Sequence, residues 1–161
     1  MKKIFGLVVM AMSMLFAANA MASTGVESVD AVTSTADYDG DYDGVISNVT
    51  MNGKSYSDED ATFTIESNVL ICDFPQIGKM PGTITVELPI SINEATGEIT
   101  ATPGTSAGFL TLKVGGKAIL YLDSLTNAKV ENGTLEFDMA VHGTYLGIIK
   151  FPASFHFKAP K

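Results

Sequence analysis

Four aspartates, Asp37, Asp39, Asp41 and Asp43, occupy every second position of the stretch DYDGDYDG. Carboxylates at this density are the raw material of a calcium loop. The helix-flanked calcium loop needs acids at its first, third and fifth positions, glycine at the sixth and a bidentate glutamate at the twelfth. A loop starting at Asp39 supplies Asp39, Asp41, Asp43 and Gly44, with Ser47 ninth, but its twelfth residue is Thr50; a start at Asp37 puts Tyr42 where glycine is required. The pattern fits a strand better. Alternation then sets the acids on one face, about 6.6–7 Å apart, and Tyr38, Gly40, Tyr42 and Gly44 on the other. Asp39, Asp41 and Asp43 are the residues a calcium ion would have to use, and at that spacing no metal site is predicted. Beyond Gly44, Val45, Val49 and Met51 oppose Ile46 in parity, which predicts a bulge near Gly44.

Other reactive side chains are few. His142 and His156 are the only histidines and fall on the outward parity of adjacent strands, where they could lie near each other. Zinc needs three or four matched ligands, and two surface histidines do not supply them. Cys72, the single cysteine, shares a parity with Leu70 and Phe74 and stands beside Asp73, so it reads as a small buried hydrophobe. No serine sits in a nucleophile-elbow pattern with a base and an orienting group in view. Asp58, Glu59 and Asp60 read as a solvated loop between strands. The inventory predicts no catalytic residue, no cofactor and no enzyme.

The elements that carry these residues begin after a leader. Lys2 and Lys3 precede an apolar run from Ile4 to Phe16, and Ala20-Met21-Ala22 ends it with a small-x-small site. This is a bacterial-type signal peptide over residues 1–22, cleaved near Ala20 or Ala22, and shorter than a membrane anchor. The expected product is exported, to the periplasm, the cell surface or the medium, with no membrane span and no cysteine placed to take a lipid. It carries eight lysines against 18 acids, a charge of −10, with no arginine. Nucleic acid is excluded as a partner on that balance. One cysteine allows no internal disulfide, so the core must hold the fold alone.

Period two runs through almost all the rest. Ile84, Val86, Leu88, Ile90 and Ile92 alternate with polar residues in GTITVELPISIN, where Pro89 predicts an edge, a bulge or a bend. Leu135, Phe137, Met139 and Val141 form a second such face, and Ile149, Phe151, Ala153, Phe155 and Phe157 a third. Shorter faces are Ala61/Phe63/Ile65, Leu70/Cys72/Phe74, Ile99/Ala101 and Leu110/Leu112/Val114. Turn pairs such as Asn52-Gly53, Ser67-Asn68 and Asn132-Gly133 separate them, and no helical spacing is sustained. From Lys117 to Glu131 both parities are apolar at Ile119 to Leu122, which predicts a doubly covered strand or a bulge. The sum is an all-β, antiparallel up-and-down barrel of about eight strands over residues 38–158, preceded by a flexible segment, 23–37; a β-sandwich is the alternative.

YDGDYDGVISNVTMNGKSY, then VLICDF, PGTITVELPISIN and the closing ENGTLEFDMAVHGTYLGIIKF, resemble the calycin-like, lipocalin-type β-barrel domain of exported Bacteroidetes proteins. The resemblance spans about Tyr38 to Lys158. It implies an eight-stranded barrel in a group known for binding small apolar ligands or acting as inhibitors. Typical lipocalins carry Gly-x-Trp in the first strand with a basic residue packed over the indole. Gly40-Asp41-Tyr42 takes that place here and Lys158 ends the last strand, so barrel closure is expected from Gly40, Tyr42 and Lys158, through a cation–π contact weaker than the Trp version. Asp123-Ser124-Leu125 resembles the short O-glycosylation motif of exported Bacteroidetes proteins, which makes Ser124 its acceptor.

Two partners follow as expectations. One is a small apolar or amphipathic ligand in the barrel, against Tyr38, Tyr42, Phe63, Ile84, Val86, Leu88, Phe137, Met139, Phe151 and Phe155. The other is a surface or periplasmic protein met by the loops of a filled barrel, as an interaction or inhibitor module. A cavity of several hundred Å³ would favour the first and a solid interior the second.

Overall fold

The computed structural model describes residues 38–74, 77, 82–113, 115–145 and 149–159. The expected leader and the 23–37 segment lie outside them. Eleven strands follow in chain order: β1 (Gly40–Met51), β2 (Lys54–Ser55), β3 (Glu59–Glu66), β4 (Val69–Asp73), β5 (Gly82–Pro89), β6 (Ser91–Ile92), β7 (Ile99–Thr100), β8 (Ser106–Leu112), β9 (Lys117–Glu131), β10 (Thr134–Tyr145) and β11 (Ile149–Lys158). The order β1-β3-β4-β5-β8-β9-β10-β11 returns to β1 through an antiparallel β11–β1 pairing, so eight strands close a barrel. That closure excludes the sandwich. β2 is an extra strand on β1, and β6–β7 form a separate two-stranded ribbon. No helix among the described residues is long and apolar enough to cross a membrane.

The alternation read from the sequence decides which side chains fill the barrel. Phe63, Ile65, Leu70, Leu88, Leu135, Phe137 and Phe157 are each at most 1% exposed. The turns follow their residues as well: Asn52-Gly53, Ser67-Asn68 and Asn132-Gly133 all have positive φ at both positions, the geometry of tight hairpins. Pro89 is the last residue of β5, where the chain bends away so that the Ile90 N–H reaches the Asn68 carbonyl at 2.9 Å. Ile99 and Ala101 belong to the ribbon end and not to a barrel strand.

Two local expectations change. The parity break in β1 lies not at Gly44 but at Asn48, in the left-handed region at φ 52°, where the register with β11 shifts between Ser47 and Thr50. Ile46 is therefore fully buried and Val45 faces out. Gly44 is needed for a different reason: a Cβ there would collide with the Lys158 carbonyl oxygen and lie 2.7 Å from Ala159 Cα, so the two chain ends of the barrel meet backbone to backbone. In β9, neither of the two faces is lost. Leu120 and Leu122 point in while Ile119 stays 48% exposed, and two bulges against β10 restore the inward face at Leu125 and again at Ala128 and Val130.

Candidate functional site

The interior was the first candidate site, and its geometry is that of a packed core. Phe63 is the hub. Its ring lies 5.0 Å from Phe137, 4.6 Å from Phe157, 5.8 Å from Phe74 and 6.1 Å from Phe155, with edge-to-face, tilted and stacked geometries. Each such aromatic pair adds about 0.5–1.5 kcal/mol beyond its area burial. No polar or charged residue is fully buried among the described residues. Among the described residues a cavity of about 20 Å³ lies on the side of the barrel away from the ribbon, with Val49, Ile84, Val86, Met139 and Phe155 in its wall. That is room for about one water, against roughly 300–1,000 Å³ in small-molecule pockets.

The expected ligand set is thus spread over different settings. Ile84, Val86, Met139 and Phe155 line the small cavity, while Phe63, Leu88 and Phe137 belong to the sealed core. Phe151 packs with Leu110, Ala118 and Leu120, its ring lying where a Cβ on Gly143 would be. Tyr38 and Tyr42 pack against the core at the ribbon end; the Tyr42 hydroxyl donates to the Tyr38 carbonyl at 2.8 Å and the Tyr38 hydroxyl to the Glu94 carbonyl at 3.0 Å. Lys158 sits opposite Val45 on the outward face, with Nζ 2.8 Å from Glu136 Oε2. Tyr42 is inside and Lys158 outside, so closure runs through Gly44 and not through a lysine roofing Tyr42. Gly40, at φ 147°, opens β1 with nothing near its missing Cβ.

Asp37 lies outside the described residues; Asp39, Asp41 and Asp43 face outward, Asp41 and Asp43 each meeting a threonine of β3 and Asp39 the turn that follows it. Thr64 Oγ1 donates to Asp41 Oδ1 and Thr62 Oγ1 to Asp43 Oδ1, both at 2.6 Å, and the Ser67 N–H reaches Asp39 Oδ2 at 3.2 Å. Thr85 repeats the arrangement on Asp73 at 2.7 Å. The threonine–aspartate pairs are cross-strand rungs, worth about 0.2–1 kcal/mol each. Asp60 and Glu59, expected in a loop, begin β3.

The histidines do not converge. His156 stands opposite Asp138 on β10, four residues from His142, which places the two roughly 13 Å apart along the strand. His142 Nδ1 lies 2.7 Å from Asp123 Oδ1 with its ring stacked on Tyr121, and His156 Nδ1 lies 2.9 Å from Asp138 Oδ1. Asp138 also accepts from Asn127 Nδ2 at 2.7 Å; that hydrogen bond first, and His156 second, hold its carboxyl below the usual range. The Lys158 ammonium does the same for Glu136. Ser124 is half-buried beside Asp138 and His156 in a shallow outer hollow. Cys72 is 2% exposed, and burial, reinforced by Asp73, pushes its thiol up to about 12.

A broad concavity lies on the outer wall, away from every residue the sequence singled out for a ligand. β3 and β4 pair at only three rungs, Thr64 with Ile71, Ile65 with Leu70 and Glu66 with Val69. Glu59 to Phe63 continue β3 beside β1 with no β4 residue paired to them. Over this seam lies an outer groove of about 810 Å³, with Asp43, Val45, Asp60, Thr62, Ile71 and Asp73 among its lining. Its one sequence signal is a mismatch: the eight-residue strand ending at Glu66 is followed by a five-residue strand that meets Pro75 just after Phe74.

Fold and site together define a closed, eight-stranded antiparallel barrel with a filled interior and a split outer wall. Comparison with known protein families, with curated proteins and with solved structures returns no match to this chain.

Proposed function

We propose that this chain is an exported, non-enzymatic barrel of calycin-like type that works as a protein-interaction module through its outer surface. The observation that carries this reading is the filled interior. Five phenylalanine rings, Phe63 and the four around it, occupy the barrel, and the cavity among the described residues, about 20 Å³, has a largely apolar wall with no fully buried polar residue to orient a ligand. A small-molecule binder needs both room and a few polar fixtures. The outer wall, by contrast, carries ordered polar rungs and a broad groove. Export rests on the leader pattern of residues 1–22.

Native mass spectrometry of the protein purified from its source, with titration by the lipophilic dye N-phenyl-1-naphthylamine, tests the reading. The expected result is the mass of the bare chain and no saturable dye uptake. A lipid or dye held at one per chain overturns it and restores the interior as the site.

A further inference from the structure

We propose that the β3–β4 seam is a docking site for an extended, lysine- or arginine-bearing segment of a partner protein, which adds to the sheet as a strand. The proposal rests on the surface-interaction reading and names the surface and the chemistry of its occupant.

The backbone supplies the first half of the argument. The two-residue turn Ser67-Asn68 makes Glu66 and Val69 a hydrogen-bonded rung, and alternation then turns the N–H and C=O of Thr64 toward β4 as well. The same alternation turns the backbone groups of Thr62 and Asp60 toward β4, where no described residue pairs with them. Across the seam, Asp73 presents its own N–H and C=O toward β3, because its neighbour Cys72 is the residue turned to β5. Two short edges, unpaired among the described residues, therefore face each other. Open strand edges are templates for another strand, and extended peptides are commonly recognised by such pairing.

The inner side of the seam is shut. Phe74 packs edge-to-face on Phe63 and Phe155 beneath it, so an occupant is confined to the outer groove. Charge chooses the occupant. Asp43, Asp60 and Asp73 stand around the groove with no basic residue among its described lining, and exposed Val45 and half-buried Ile71 give apolar rests between them. A second copy of this chain, at −10 without its leader, is the wrong sign, as is its own 23–37 stretch with three acids and no base. A strand alternating basic and apolar residues matches both the open backbone and the acids.

The test is a titration of the 15N-labelled protein with an end-blocked peptide alternating lysine with valine, read by amide shifts and hydrogen exchange. Shifts and slowed exchange at Asp60, Thr62 and Asp73 are expected, with binding about tenfold or more weaker for the same peptide N-methylated at alternate backbone nitrogens. The N-methyl peptide keeps the charge and leaves the protein untouched, so folding of a variant does not enter. Asp60→Asn with Asp73→Asn should weaken binding several-fold. Equal binding of both peptides, no shift anywhere, or shifts confined to loops at the barrel ends each overturn the seam as a strand-docking site. The last of these leaves the surface-interaction reading standing, whereas stoichiometric dye uptake in the interior removes that reading itself.

Discussion

The wall formed by β9, β10 and β11 and the wall formed by β3 and β4 are built from the same kind of alternating strand, yet only the first is continuous. β10 is paired from Thr134 to Thr144 by β9 on one side and from Glu136 to Tyr145 by β11 on the other. β3 has a full partner in β1 and a partial one in β4, which leaves it after three rungs. Inside, the two walls are equal, since Phe63 of β3 and Phe137 of β10 touch at 5.0 Å and are both fully buried. A barrel can thus be complete as a core and incomplete as a hydrogen-bonded surface. Side-chain packing and backbone pairing are separate requirements, and among the described residues the β3–β4 wall meets the first and only part of the second.

Hydrogen exchange should show the contrast most strongly. The amides of Thr62 and Asp60 should open at almost no cost, while that of Ala140 in β10 should need global unfolding, typically about 5–15 kcal/mol. Comparable protection at Thr62 and Ala140 would mean that the seam is closed in solution. Truncating the shared core should damage both walls at once: Phe63→Ala is expected to cost about 3–5 kcal/mol in a urea titration, and a loss under about 1 would show that the aromatic hub is not what joins them. Gly44→Ala should cost about 1–3 kcal/mol by the same measurement, because its Cβ meets the backbone of Lys158 and Ala159, which cannot rotate away.

Cys72 reports on the seam from inside. Its folded thiol, raised to about 12, stays protonated where an unfolded thiol, near 9.0, has begun to ionise. Ionisation then favours the unfolded chain, so this contribution is whole below about pH 9 and is lost as the pH climbs toward 12. Iodoacetamide at pH 8 should leave Cys72 unmodified in the native protein and label it in urea; rapid native labelling would reveal a wall open through its full depth. The smallest effect belongs to the complete wall. Lys158→Met should let the Glu136 carboxyl rise toward its ordinary range in an NMR titration, with no measurable change in the denaturation midpoint, since that ion pair is exposed.

Much of this architecture was legible in particular residues. The alternation at Leu135, Phe137, Met139 and Val141 named the buried face of β10 correctly because a strand's period of two converts sequence parity directly into inside and outside. Ser67-Asn68 named a hairpin for a similarly local reason. The bulge in β1 was misplaced at Gly44 because glycine is compatible with either a bulge or a close approach, and only the passage of Lys158 and Ala159 distinguishes them. The histidine pair was misjudged because parity sets a face but not a height along the strand. The seam was missed because the sequence marks where β4 stops but not what lies across from it.

The DYDGDYDG stretch divides the same way. Its alternation alone determined that Asp41 and Asp43 face water while Tyr42 turns inward. Tertiary structure decided the rest: that Asp41 and Asp43 are engaged by Thr64 and Thr62, that Val45 is matched to Lys158 across the closure, and that the barrel is filled. Which face a side chain takes depends on its own strand, so a local pattern encodes it. Whether a barrel is solid or hollow, and where its wall parts, depends on register and summed side-chain volume among strands more than a hundred residues apart, and no local pattern carries either quantity.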